Sequence, residues 1–182
     1  NLGSDQVQLT ITLPAGANAA SLAVAIPSLS HVFVDPSQLD SQAKATGIGA
    51  AESCELDVTC ASDGANQRDA VGRMSYQSGG SGYFCSGTLL NDAAESSRPY
   101  FITANHCISK QSEATSLQTD WFFRTATCNR GALSTNSTKR YNGAKLLFTD
   151  SGVDSTLLQL NSAPPANVVF AGSYFGDGVG VG

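Results

Sequence analysis

Charge is scarce in this chain: Asp, Glu, Lys and Arg make up only 14% of its 182 residues. The ten Lys and Arg residues form no basic run and face 15 acids, for a net charge of −5. A surface that neutralises nucleic-acid phosphates needs the opposite balance, which argues against a nucleic-acid partner. No stretch reaches the ~18 uninterrupted apolar residues of a membrane helix, which argues against a membrane role. The longest weakly polar run, residues 19–26, is Ala-rich and stopped by Pro27. Histidine occurs only as His31 and His106, and no two cysteines stand in Cys-x-x-Cys spacing. That donor set gives poor support for zinc, and no metal or organic cofactor is expected. Neither an initiator Met nor a basic-then-apolar leader opens the sequence, so a chain processed or cut before reaching this form is expected.

What is present points to β-structure. Apolar residues make up 41% of the chain and glycines number 18, as in a loop-rich globular protein. Val7, Leu9, Ile11 and Leu13 alternate strictly, as do Leu22, Val24 and Ile26, and residues 31–34 form a third short run. Residues 37–51 are small and polar and read as an exposed linker. Further along, strands are expected at 71–76, 83–90, 100–104, 120–125, 144–148 and 156–160. They are separated by SGGSG at 78–82, NDAAESSRP after Leu90, YNG at 141–143 and SAPPAN at 162–167. Short strands punctuated this way predict an all-β barrel or sandwich. Five cysteines (Cys54, Cys60, Cys85, Cys107 and Cys128) in a Ser/Thr/Asn/Gly-rich chain fit disulfides formed in an oxidising compartment, hence secretion. Their odd number leaves at least one free or paired outside these residues.

Residues 101–107 read FITANHC. On a strand, Tyr100, Ile102 and Ala104 share one face and Phe101 and Thr103 the other, so His106 is delivered to a sheet rim. A structural histidine beside a disulfide is the plainer alternative to a catalytic base. The motif TANHC, with YFCSGTLLND and RPYFI before it, resembles the histidine segment of chymotrypsin-fold (trypsin-like) serine proteases. The similarity is closest to the secreted bacterial lysyl-endopeptidase group. ESCELDVTC, DGANQRDAVGRM, WFFRTATC and VDSTLLQL extend the resemblance from about residue 49 to the end.

The resemblance implies a fold: the first, six-stranded barrel of a chymotrypsin-like double β-barrel, preceded by the tail of a β-rich pro-region. It implies a Ser-His-Asp triad, with His106 as general base and then acid. Asp154, at the head of the run TLLQL, would be the orienting acid, in preference to Asp150 in the turn-like TDSG. Disulfides Cys85–Cys107 and Cys60–Cys128 follow from the same resemblance, with Cys54 matching a cysteine whose partner lies in a second barrel. The expected organisation is residues 1–36 as the end of the pro-region, 37–48 as an activation linker with Lys44 as a cleavage point, and 49–182 as the N-terminal barrel. The second barrel would be missing, leaving an incomplete, zymogen-like chain.

The nucleophile is the absent member. No GDSG, GSSG or G-x-S-x-G occurs. Ser81 reads as a hairpin-turn residue and Ser86 as part of the strand before the histidine. Ser41 and Lys44 have Ser-x-x-Lys spacing, but no Ser-Asp-Asn or Lys-Thr-Gly accompanies them. A Cys107–His106 dyad is disfavoured because neighbouring strand side chains point to opposite faces, and because Cys107 is expected to be oxidised. His31, in SHVFVDP, reads as a packed or capping residue. Asn136-Ser137-Thr138 is a sequon in a polar loop, relevant only where secreted proteins are glycosylated. The expected function is therefore a secreted endopeptidase acting on protein or peptide substrates. Its serine would be supplied by a second-barrel segment linked through Cys54. The alternatives are a catalytically inactive homologue serving as a secreted binding module, and a purely structural disulfide-linked β-fragment.

Overall fold

The computed structural model describes residues 6–26, 57–128, 130–174 and 176. Among them the chain is all-β with two short helices. Its strands are β1 (Val71–Ser78), β2 (Ser81–Leu90), β3 (Tyr100–Thr103), β4 (Gln118–Trp121), β5 (Thr125–Thr127), β6 (Arg130–Leu133), β7 (Thr138–Arg140), β8 (Ala144–Asp150) and β9 (Ser155–Leu160). The helices are α1 (Ala65–Asp69) and α2 (Gln111–Thr115). Seven strands form one sheet in the order β7-β4-β1-β2-β3-β9-β8, and β5 pairs with β6 in a separate ribbon. Every named strand pair is antiparallel. The six strands expected from resemblance are thus a seven-stranded sheet here. The extra one, β7, is a polar TKR segment without the apolar alternation that marks a strand in sequence.

Each strand forms for a local reason. Gly79 and Gly80, both at positive φ (56° and 86°), supply the two-residue turn that joins β1 to β2. Ser81 is therefore the first residue of β2 rather than part of the turn. Met74 and Tyr76 on β1, Leu89 on β2, Phe101 on β3, Trp121 on β4 and Leu158 and Leu160 on β9 point inward and make the core. The rings of Phe101 and Trp121 meet edge-on with centroids 5.8 Å apart. Gly87 has to be glycine, since a Cβ there would sit 2.2 Å from Cε1 of Phe101. The expected strand at 120–125 is cut in two: Phe122 takes φ +54°, a left-handed conformation that ends β4 and lets β5 start a second ribbon.

Helix α2 links β8, at one edge of the sheet, to β1. Its Gln111 side chain donates to Ala144 O (2.9 Å) and accepts from Leu146 N–H (2.8 Å) on β8. Just beyond it, Ser116 Oγ accepts from Gln77 N–H on β1 (2.9 Å). Gly143 N–H donates to Leu117 O (3.1 Å), joining the approaches to β8 and β4. Two disulfides lie among the described residues, Cys60–Cys128 and Cys85–Cys107, closing loops of 68 and 22 residues. Loop-closure entropy makes them worth about 4 and about 3 kcal/mol respectively.

The segment at 6–26 departs from expectation. Its alternating stretches at 7–13 and 22–26 form no strand, and the one regular piece is a 3-10 turn at Ala19–Ser21. Alternation marks a strand only where one face has something to pack on, and here Val7 and Leu9 are 61% and 62% exposed. The expected run at 31–34, the linker at 37–51 and residues His31, Ser41, Lys44 and Cys54 lie outside the described residues.

Candidate active site

Two strand ends build the site. β3 stops at Thr103, whose Oγ1 donates to Ser86 O on β2 (2.9 Å), and residues 105–107 then turn back over the sheet edge. The Cys85–Cys107 bridge ties this turn to the middle of β2. β8 and β9 form the adjoining hairpin, and its tip carries Asp154 at φ +47°, a left-handed conformation rare for a residue with a side chain.

That conformation brings together two residues 48 positions apart. Asp154 Oδ1 accepts from His106 N–H at 2.9 Å, and Oδ2 lies 2.6 Å from His106 Nδ1. A carboxylate can only accept, so Nδ1 carries the proton and the lone pair of Nε2 becomes the basic site. The His106 N–H holds the Asp154 carboxyl below its ordinary value of 3.8, with the imidazole and the Asn105 N–H adding to the effect. Asp150 is elsewhere occupied: it is exposed and its Oδ1 accepts from Gly152 N–H within its own turn (2.6 Å).

The His106 and Asp154 side chains are 72% and 53% exposed. Hydrogen bonds and charge contacts this open to water are weakened by solvent and cannot fix the geometry alone. The surrounding polar network is more buried. Asn105 Nδ2 donates to Thr149 Oγ1 (2.6 Å), Thr149 and Thr156 share a hydroxyl contact of 2.7 Å, and Thr156 Oγ1 donates to Ile108 O (2.7 Å). Glu113, also buried, accepts from the N–H groups of Ser109 (2.8 Å) and Lys110 (3.0 Å) and from Ser78 Oγ (2.6 Å). Burial pushes its pKa up, but these donors outweigh it and hold the group below its ordinary value. None of Asn105, Thr149, Thr156 or Glu113 stood out in the sequence; the one available signal was Thr156 two places after Asp154, on the buried face of a strand.

His106 and Cys107 both lie in a turn, so strand alternation does not set their side chains on opposite faces. One ligating atom each of Cys85, His106 and Cys107 fall within 4.8 Å of one another. Both sulfurs are joined in the bridge, so neither is a thiolate for nucleophilic attack or metal binding. Ser86, on β2, has its carbonyl taken by Thr103, and Ser81 sits at the start of the same strand.

A separate cleft of about 390 Å³ lies on the outer face of β1, β2 and β4, lined in part by Arg73, Ser86, Asp120, Phe122, Phe123 and Arg124. The Arg73 guanidinium stacks on the Phe84 and Phe123 rings, 4.3 and 4.2 Å from their centroids. Asp120 is buried between Arg73 (3.7 Å) and Lys139 (3.8 Å), and its Oδ1 makes no hydrogen bond. Burial raises its pKa despite both cations. His106 and Asp154 do not line this cleft.

A family model described as lysyl endopeptidase, C-terminal domain, matches residues 48–178. The chain belongs to this family. It is 36% identical over 177 residues to a lysyl endopeptidase of Pseudomonas aeruginosa, covering 92% of this chain and 38% of that protein. It is also 30% identical over 95 residues to secreted RxLR effector protein 73 of Plasmopara viticola, covering 50% of this chain and 22% of that protein. The chain thus spans well under half the length of either curated relative. Family membership makes it a protease-family protein, and its all-β antiparallel sheet is that of a chymotrypsin-like barrel domain.

Proposed function

We propose that this chain is the histidine- and aspartate-bearing part of a secreted serine endopeptidase. The bidentate grip of Asp154 on His106 carries the reading: one oxygen takes the backbone N–H and the other takes Nδ1–H. That arrangement selects the tautomer whose Nε2 can remove a proton from a hydroxyl nucleophile and later return it to the leaving amine. Asp154 stabilises the imidazolium formed in between.

The missing nucleophile has a physical counterpart. A hydrolytic site works in a walled, water-poor cleft, whereas His106 stands on an open rim. We assign the facing wall, the serine and the oxyanion-binding groups to a second-barrel segment held through Cys54. The relatives' greater length supports this assignment. In this reading residues 1–36 end a pro-region, 37–48 form the activation linker with cleavage at Lys44, and 49–182 form the first barrel. The two disulfides and the relative named as secreted support passage through an oxidising compartment and an extracellular location. The name of the Pseudomonas relative supports peptide bonds in proteins as the substrate class.

A second reading, a secreted homologue without peptidase activity that serves as a binding module, draws on the relative named as an effector. Intact mass of the native secreted material, measured with and without reductant, tests the assignment. A mass well above the chain's 18.8 kDa is expected, falling on reduction if the segment is a separate chain held through Cys54 and unchanged by reduction if it is continuous with these residues. An unchanged mass of 18.8 kDa for the native material, with no serine-bearing segment attached, would refute it.

A further inference from the structure

The turn that carries His106 has few bonds of its own: Cys107 and Ile108 N–H both donate to Ala104 O at 3.2 Å. Its two flanks are instead anchored on the neighbouring hairpin. Asn105, just before the histidine, reaches Thr149 on β8, and Ile108, two residues after it, receives Thr156 on β9. The two threonines touch each other at 2.7 Å, directly across the ladder that pairs Thr149 with Thr156.

Hydrogen counting fixes the direction of this chain of contacts. The Ile108 carbonyl can only accept, so the Thr156 hydroxyl donates to it. The Thr156 oxygen then accepts from Thr149, and the Thr149 oxygen accepts from the Asn105 amide. Every member is satisfied, and the line runs one way from Asn105 to Ile108. Thr156 is fully buried, so water cannot replace its partners.

A bulge makes the contact possible. The β8–β9 register slips between Leu146 and Phe148, so Leu146 faces Leu158 while Phe148 faces Leu157. One extra residue reverses which side chains point inward beyond it. Phe148 turns outward, 55% exposed, and Thr149 takes the inner position beside Thr156. Five residues later the same hairpin tip presents Asp154.

We propose that Asn105, Thr149 and Thr156 form a positioning relay that keeps His106 and Asp154 in register independently of the bonds between them. The role rests on reading those two residues as a catalytic pair. Because the pair is open to water, its alignment needs an anchor that water does not weaken, and the relay supplies one. The Asn105 side-chain amide and the threonine hydroxyls do not touch the reacting atoms; they act through the turn and the hairpin.

The test is the tautomer of His106 in the whole chain, read from its ring ¹⁵N shifts at a pH where the ring is neutral. An imidazole in water prefers its proton on Nε2, whereas contact with Asp154 requires it on Nδ1. Wild type is expected to be mainly the Nδ1–H form. Asn105→Ala and Thr149→Val are each expected to lower the Nδ1–H to Nε2–H ratio about fivefold, the change that losing one ordinary hydrogen bond produces. Thr149→Ser keeps the hydroxyl and should keep the wild-type ratio. Folding is checked by amide dispersion, and Asn105→Ala, a partly exposed site, decides if Thr149→Val does not fold. Unchanged ratios in folded Asn105→Ala and Thr149→Val would overturn the relay, as would a wild type without Nδ1–H preference. The endopeptidase reading fails separately: full-length polypeptide that ignores a fluorophosphonate while the ratio still responds leaves the relay standing.

Discussion

Replacing Thr156 with valine keeps the shape of a fully buried side chain and removes only its hydroxyl. The hydroxyl donates to Ile108 O and meets Thr149 Oγ1, each at 2.7 Å. Without it the Ile108 carbonyl and the Thr149 hydroxyl both lose a partner, and a buried polar group left unsatisfied costs about 1–3 kcal/mol. Thr149 is only half-buried and recovers part of its loss, while the added methyl returns about 0.8 kcal/mol. The net expectation is a destabilisation of about 2–3 kcal/mol. Thr156→Ser keeps the hydroxyl, loses one methyl and should cost only about 1 kcal/mol. Urea unfolding with both disulfides intact measures each, as a fall in midpoint at unchanged slope. A valine variant within about 0.5 kcal/mol of wild type, or more stable than the serine variant, would refute the claim that the hydroxyl line is structural.

Other outcomes follow from the same structure. Replacing Cys85 and Cys107 together with alanine should cost about 3 kcal/mol by loop-closure entropy, measured by non-reducing urea unfolding; no change would contradict that estimate. Gly87→Ala places a methyl against Phe101 Cε1 and, 2.7 Å away, Ile102 O, and should lower stability by about 1–3 kcal/mol through overpacking. Asp154 has a lowered folded-state pKa, so its contacts are fully present above its ordinary value of 3.8 and are lost as pH falls through the folded value. The Asp154 side-chain carboxyl ¹³C signal should therefore show its protonation step only below about pH 4, and a protonation step centred above that point would be inconsistent with the carboxylate contact.

Much of the architecture could be read from alternation alone. β1, β2 and β9 each carry apolar residues or glycine at every second position because one face packs on the core, and their ends fall near Gly or Asn. β7 escaped notice because its TKR segment is polar, and its pairing with β4 is set by the ladder rather than by burial. Residues 7–13 show the converse: strict alternation with no strand, because periodicity says nothing about whether a partner edge exists. At the site, His106 and Asp154 were legible as candidates through resemblance, and the structure brings Nδ1 of one within 2.6 Å of Oδ2 of the other. Their support was not. Asn105 and Thr149 look like ordinary polar residues, and the bulge at Leu147 that turns Thr149 inward leaves no mark in the composition. The left-handed conformations of Phe122 and Asp154 were equally silent, since neither is glycine or asparagine.

The central claim is that His106, oriented by Asp154, activates a hydroxyl nucleophile outside these residues. Reaction of the full-length polypeptide, cut at its activation linker, with a fluorophosphonate, compared with its His106→Ala variant treated alike, is the test. The account predicts covalent labelling of one serine in the wild-type protein and a loss of labelling rate of at least about a hundredfold in the variant. Equal labelling of the two proteins, or none in the correctly folded wild type, would contradict it.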